Sequence, residues 1–247
     1  MDPNRPAADP RGPDATAPPM ASSVTGGTHP SRENLDRELR AIKDAVLRMG
    51  SIVERQILAA LAALIEHDPT AAEAVMIGDA RVNEVQREAE AMVTMTIATQ
   101  QPVARDLRFL LALDRVTYEL ERIGDHATSV AKQARKLAPF APLEGYLGLP
   151  RMSTIAADLV HDVLAALVDV DQNAARAVAA RDDEIDNLYH ATFDTVLGLM
   201  RLDPDNVEVG TRILFAAHYL ERIGDRVTNI AEDVVFLATG EIEDLNP

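Results

Sequence analysis

From Glu33 onward the chain carries apolar side chains at helical spacing and nowhere alternates as a strand would. The pattern is clearest in residues 102–137. There Leu113, Val116, Leu120, Ile123, Ala127, Val130, Ala134 and Leu137 follow one another in steps of three and four. Residues 204–239 repeat it with Val209, Ile213, Ala216, Leu220, Ile223, Val227, Ile230, Val234 and Leu237. Such steps keep the residues on one helix face, so each segment predicts a bundle helix with a seam of small and aliphatic side chains. Prolines at 69, 102, 139, 142, 150 and 204 punctuate the pattern. Because proline is tolerated only in a helix's first turn, these positions mark starts or links. Asp68-Pro69 and Asp203-Pro204 add a capping acid, and Asp171-Gln172-Asn173 supplies one more break. Six helices follow, near 33–66, 69–99, 102–137, 150–170, 173–201 and 204–239.

The two seams belong to an internal duplication. Residues 120–131 read LERIGDHATSVA and residues 220–231 read LERIGDRVTNIA, identical at 8 of 12 positions. Upstream, LAALI at 61–65 answers LAALV at 164–168, and Asp79-x-x-Val82-Asn83 answers Asp182-x-x-Ile185-Asp186. The predicted fold is therefore all-α, two tandem three-helix bundles, with repeats at 32–140 and 149–241. Residues 1–31 hold seven of the 14 prolines among Gly, Ala, Ser and Thr. Such a stretch buries too little apolar surface to offset its ordering entropy, so it reads as a disordered tail.

Composition narrows the function. A formal net charge of −16 excludes nucleic acid and passive attachment to anionic lipid. The absence of Cys removes disulfides, thiolate metal sites and Cys nucleophiles. No apolar run reaches the ~18–20 residues of a membrane span, and no signal-peptide core opens the chain, so a cytoplasmic protein is expected.

The candidate chemistry lies in the duplicated motif. Glu121 and Asp125 are four apart, as are Glu221 and Asp225, so each pair shares a helix face pointing away from its own seam. Around them Glu, Arg, Asp and Thr are the same in both repeats (Glu121, Arg122, Asp125, Thr128; Glu221, Arg222, Asp225, Thr228), whereas neighbours differ, as in His126 against Arg226. Gly124 and Gly224 sit mid-helix, each at a cost of about 1 kcal/mol relative to Ala, which points to something approaching the backbone closely. Like charges four apart repel unless a cation lies between them. Arg122 and Arg222 offer a purely structural relief, and that reading stays open beside a metal. On helix two, Asp79 and Asn83, then Asp182 and Asp186, repeat the spacing of four; they are equally readable as ligands or as caps and surface charge. An oxygen-only set selects hard cations. No HExxH, Walker loop, GxSxG or Glu-x-x-His motif occurs. His67, His161, His190 and His218 read as solvent-facing or bundle-edge residues, and His126, though it adjoins Asp125, is a weak ligand candidate because the second repeat has Arg226 in its place.

The duplicated ERIGD, the string Gln101-Pro102-Val103-Ala104-Arg105-Asp106-Leu107-Arg108 and the Asp-x-x-Ile/Val-Asp/Asn element resemble the PhoU family of phosphate-signalling proteins over residues 33–241. The resemblance implies paired three-helix bundles whose Glu/Asp-x-x-x-Asp motifs bind metal, with iron, manganese and magnesium the expected ions. It makes Glu121, Asp125, Glu221 and Asp225 metal ligands, with Asp79, Asn83, Asp182 and Asp186 as helix-two contributors. It further implies a negative regulator, not an enzyme, that links the ATPase subunit of a phosphate ABC transporter to a phosphate sensor histidine kinase. A homodimer is expected. Asn83, standing where the second repeat has Asp186, weakens the first site. A metal-dependent hydrolase and an inert helical scaffold are the alternatives. Direct phosphate sensing is less expected than relayed sensing, because so acidic a chain disfavours a free anion.

Overall fold

The computed structural model describes residues 30–141 and 148–245. In chain order it contains α1 (Pro30–Ile65), α2 (Pro69–Gln100), α3 (Arg105–Leu137), α4 (Leu149–Asp169), α5 (Gln172–Ala179), α6 (Asp182–Leu202) and α7 (Asn206–Thr239), with no strand among the described residues. The expected disorder of residues 1–31 lies outside the described residues up to His29; Pro30 and Ser31 already belong to α1. None of these helices is long and apolar enough to cross a membrane.

Two predicted caps form as expected. The Asp68 carboxylate accepts from the amides of Thr70 (2.8 Å) and Ala71 (3.0 Å), and that of Asp171 from Asn173 (2.8 Å) and Ala174 (3.1 Å). Each satisfies two amides that the first helical turn leaves without partners. Two predicted starts move. Gln101 and Ala104 adopt φ of 47° and 46°, so Gln101–Ala104 forms a link with Pro102 buried in it, and α3 begins only at Arg105. At the other, Asp203 accepts from the Asp205 amide (3.0 Å), capping the linking turn instead of the helix, and α7 begins at Asn206.

The single helix expected over 173–201 is two. Arg181 N–H donates to the Val178 carbonyl and Glu184 N–H to the Arg181 carbonyl, both at 3.0 Å, and these tight turns separate α5 from α6. Asp182, Asp183 and Glu184 then open α6, three acids at the positive end of its dipole. The first repeat thus has three helices and the second has four, because its helix two is split into α5 and α6; both are built on the duplicated plan.

Every seam residue of α3 is buried, and every one of α7 except the half-buried Leu237. The repeats do not stand apart. α3 packs along α7 and α1 along α4, and one hydrophobic core runs through both repeats. The α3/α7 pair is antiparallel: Arg115 meets Asp233 (2.6 Å), Arg226 meets Glu119 (3.5 Å), and His126 stacks on Tyr219 (centroids 6.1 Å apart). On the other side Lys43 donates to the Val168 carbonyl (3.2 Å), and Gly50 admits the Leu164 side chain where a Cβ would overlap it. His126 and Arg226 are therefore not outward residues: both are half-buried where the repeats meet. A helix wheel could not show this, because the second interface is polar.

Candidate functional site

The two mid-helix glycines have a visible cause. In the first repeat α2 crosses α3 so that Asp79 Oδ1 lies over Gly124, 3.5 Å from where a Cβ would be, and accepts from Thr128 Oγ1 (3.2 Å). Gln56 Nε2 of α1 also donates to Oδ1 (3.4 Å) and Asn83 Nδ2 to Oδ2 (3.3 Å). In the second repeat Asp182, 1 % exposed, accepts from Thr228 Oγ1 (3.4 Å) and sits so close to Gly224 that a Cβ there would overlap its Oδ1. The close approach expected from the sequence is thus the acid of helix two, held between the Gly and the Thr of the motif. This accounts for two of the repeated residues by packing, and it fixes Asp79 and Asp182 beside the motif acids.

The motif acids line the adjoining helix edge. Glu121 and Glu221 are largely covered, with 19 % and 22 % of their side-chain surface exposed, and Asp125 and Asp225 are more open. Glu121 Oε2 and Glu221 Oε2 are buried without a hydrogen bond. The polar contacts to them are looser: Arg122 Nε lies 3.5 Å from Glu121 Oε2, and His218 Nδ1 lies 3.4 Å from Glu221 Oε2, an ion pair when the imidazole is protonated. Arg122 and Arg222 reach Asp125 (3.3 Å) and Asp225 (2.8 Å).

Burial pushes the Glu121 carboxyl above its ordinary range, and the Asp125 charge adds to this. Glu221 is raised by burial, then by Asp225 and Asp186; Asp186 is raised by burial, then by Asp225. The carboxylates of α2 and α3, and those of α6 and α7, therefore feel one another, as the predicted assembly requires. Among the described residues no three His, Asp or Glu side chains converge as a ready-made metal site. The chemistry of the donor set nevertheless fits a hard cation: oxygen donors only among the motif acids, two buried carboxylate oxygens without hydrogen bonds, and repulsion for a positive charge to relieve.

On the sequence pattern His190 and His218 are solvent-facing or bundle-edge residues. The structure brings His218 onto Glu221 and His190 close enough to lower both Glu221 and Asp186. Both also pack on Tyr189. The available signal was their position in the repeat: His218 stands where the first repeat has Tyr118, and His190 where it has Arg87.

Comparison with known proteins agrees with this architecture. The family model described as PhoU domain matches twice, at residues 46–134 and 149–234. A phosphate-specific transport system accessory protein PhoU homolog of Clostridium acetobutylicum is 36 % identical over 217 residues, covering 87 % of this chain and 99 % of its own. Its Caulobacter vibrioides counterpart is 38 % identical over 205 residues, covering 83 % and 89 %. Among solved structures, PhoU from Pseudomonas aeruginosa superposes with a TM-score of 0.80 at 32 % identity, covering 84 % of this chain and 100 % of that one. The phosphate transport system regulatory protein PhoU from Streptococcus pneumoniae gives 0.78 at 31 % identity, covering 85 % and 99 %.

Proposed function

The chain belongs to the PhoU family, and from that premise we propose that it is a cytoplasmic, non-enzymatic accessory and negative regulator of phosphate-specific transport. It links the ATPase subunit of a phosphate ABC transporter to a sensor histidine kinase, and acts as a homodimer. The observation that supports this reading best is a Glu-Arg-x-Gly-Asp-x-x-Thr face built twice to one plan, each copy backed by an acid from helix two.

Glu121 and Asp125 with Asp79 and Asn83, and Glu221 and Asp225 with Asp182 and Asp186, would hold metal ions. A cation bound there supplies the positive charge that neutralises the carboxylates and ties helix two to helix three. The chain's own residues set up that face. Gly and Thr seat the helix-two acid, and Arg122 and Arg222 hold the outer Asp where a partner protein can reach it.

The test is complementation of a strain lacking this protein. The intact chain restores repression of phosphate-starvation genes in phosphate-rich medium and copurifies with the transporter ATPase. A variant with Glu121, Asp125, Glu221 and Asp225 changed to Ala does neither, and elemental analysis finds its metal gone. Full complementation by that variant would overturn the role of the faces, and turnover of phosphoesters by the purified manganese-loaded chain would favour the hydrolase instead.

A further inference from the structure

The net charge of −16 conceals a locally basic cavity. At the end of the molecule where α1 and α3 begin and α4 and α7 finish, Arg32, Lys43, Arg105 and Arg108 line a recess of about 330 Å³, with Asp106 the only acid in its lining among the described residues. Two of these cations come from α1 and two from the first turn of α3, while the far wall is made by the ends of α4 and α7. The recess is thus assembled only when both repeats are docked.

Several of its cations are held in place. Arg32 pairs with Asp106 (2.6 Å). The Lys43 ammonium donates to the Val168 carbonyl (3.2 Å) and lies over the Phe109 ring at 5.0 Å. Arg108 lies over Phe236 (5.9 Å), with its Nη1 beside Gly240, where α7 ends. Arg105 is exposed at the first position of α3, a helix that starts without a side-chain cap on its amides. At this helix start the Asp106 amide already donates to the Val103 carbonyl (3.2 Å), so an anion is favoured by the helix dipole and by the guanidinium donors of Arg105 and Arg108. The volume exceeds what one water-sized guest needs, at ~30 Å³ per water, and suits a tetrahedral oxyanion with room for solvent or a small attached group.

We propose that this inter-repeat recess binds a phosphoryl oxyanion, either free inorganic phosphate or the phosphate of a small phosphorylated molecule. The site is distinct from the carboxylate faces and does not depend on the transport-accessory reading. It gives the docked pair of repeats a ligand that neither repeat could hold alone.

The test is calorimetry on the full chain at physiological ionic strength with EDTA present, so that phosphate held through a metal on the carboxylates cannot mimic the site. Inorganic phosphate and AMP are titrated separately, and saturable one-to-one binding is expected. Tighter binding of phosphate identifies the free ion as the source, and tighter binding of AMP identifies a phosphorylated small molecule; either supports the site. Changing Arg105→Gln together with Arg108→Gln weakens binding about tenfold or more, the weight of a charge-assisted hydrogen bond. If circular dichroism shows that the double variant misfolds, Arg105→Gln alone, at an exposed position, replaces it with a several-fold loss. No saturable heat with either ligand, or unchanged affinity in the folded variants, overturns the proposal.

Discussion

The two carboxylate faces share a motif but not an electrostatic condition. In the first repeat the helix-two acid Asp79 takes hydrogen bonds from Gln56, Asn83 and Thr128, and Arg122 touches both motif acids as well as the Tyr118 hydroxyl. In the second, Leu159 stands where the first has Gln56, and Asp186 replaces Asn83. Asp182 is fully buried against Gly224, and two histidines close in from Tyr118's and Arg87's positions. One duplicated unit has thus been tuned in two directions. In the first face the helix-two acid is satisfied by side-chain amides and a hydroxyl; the second face gathers more negative charge and sets imidazoles beside it.

The sharpest way to break the comparison is at the glycines. Gly224→Ala forces Asp182 out of its seat and is expected to destabilise the protein by about 1–3 kcal/mol in urea unfolding. Gly124→Ala meets Gln56 Oε1 at 3.3 Å, a contact that a side-chain shift relieves, and gains helix propensity, so its net effect stays within about 1 kcal/mol. Equal losses would mean that both acids are seated alike. Next comes Asn83→Asp, which gives the first face the second's carboxylate. We expect metal affinity there to rise about tenfold in competition titrations with a chelator, because ligand charge count sets affinity in oxygen sites.

A smaller effect separates the faces without metal. Glu221 is raised above its ordinary pKa, so its ionised form costs stability once the pH passes the carboxylate range; protonation in acid, or replacement by Gln, removes that cost. In EDTA at neutral pH Glu221→Gln should therefore raise the Tm, by roughly 1–2 °C after solvent screening. Glu121→Gln should raise it less, since Arg122 Nε lies 3.5 Å from Glu121 and neutral Asn83 stands where Asp186 raises Glu221. An effect confined to acid concerns the seam between the repeats. Burial and the nearby Arg226 and Arg222 lower His126 from 6.5 to about 4. Below pH 6.5 the unfolded chain takes up a proton that the folded one refuses, so stability falls as the pH drops from about 6.5 toward about 4. His126→Gln should flatten the Tm profile across that window.

Much of this was readable beforehand because it is local. Steps of three and four located the buried stripes of α3 and α7, Asp68 and Asp171 announced their caps, and Gly124 and Gly224 announced a close neighbour through their cost alone. What escaped depends on long-range packing. Nothing between Ala179 and Asp182 is a proline or glycine, so only the three consecutive acids hinted at the split between α5 and α6. His126 looked external because the surface it meets is another polar helix face. His190 and His218 lie 28 positions apart and converge only when α6 lies on α7. The basic recess draws Arg32 and Arg105 from distant segments, and a summed charge of −16 averages it away.

The shared core also has a consequence during synthesis. α1 presents apolar surface that α4 covers, α3 presents a polar face that α7 covers, and α7 is complete only at Thr239. Between the synthesis of the last residue of α3 and that of the last residue of α7, about a hundred residues are translated, roughly 5–20 s at the usual rate. For that interval the nascent first half is an unfinished sandwich, open to aggregation and to holding chaperones, and rare codons in the second half would lengthen its exposure.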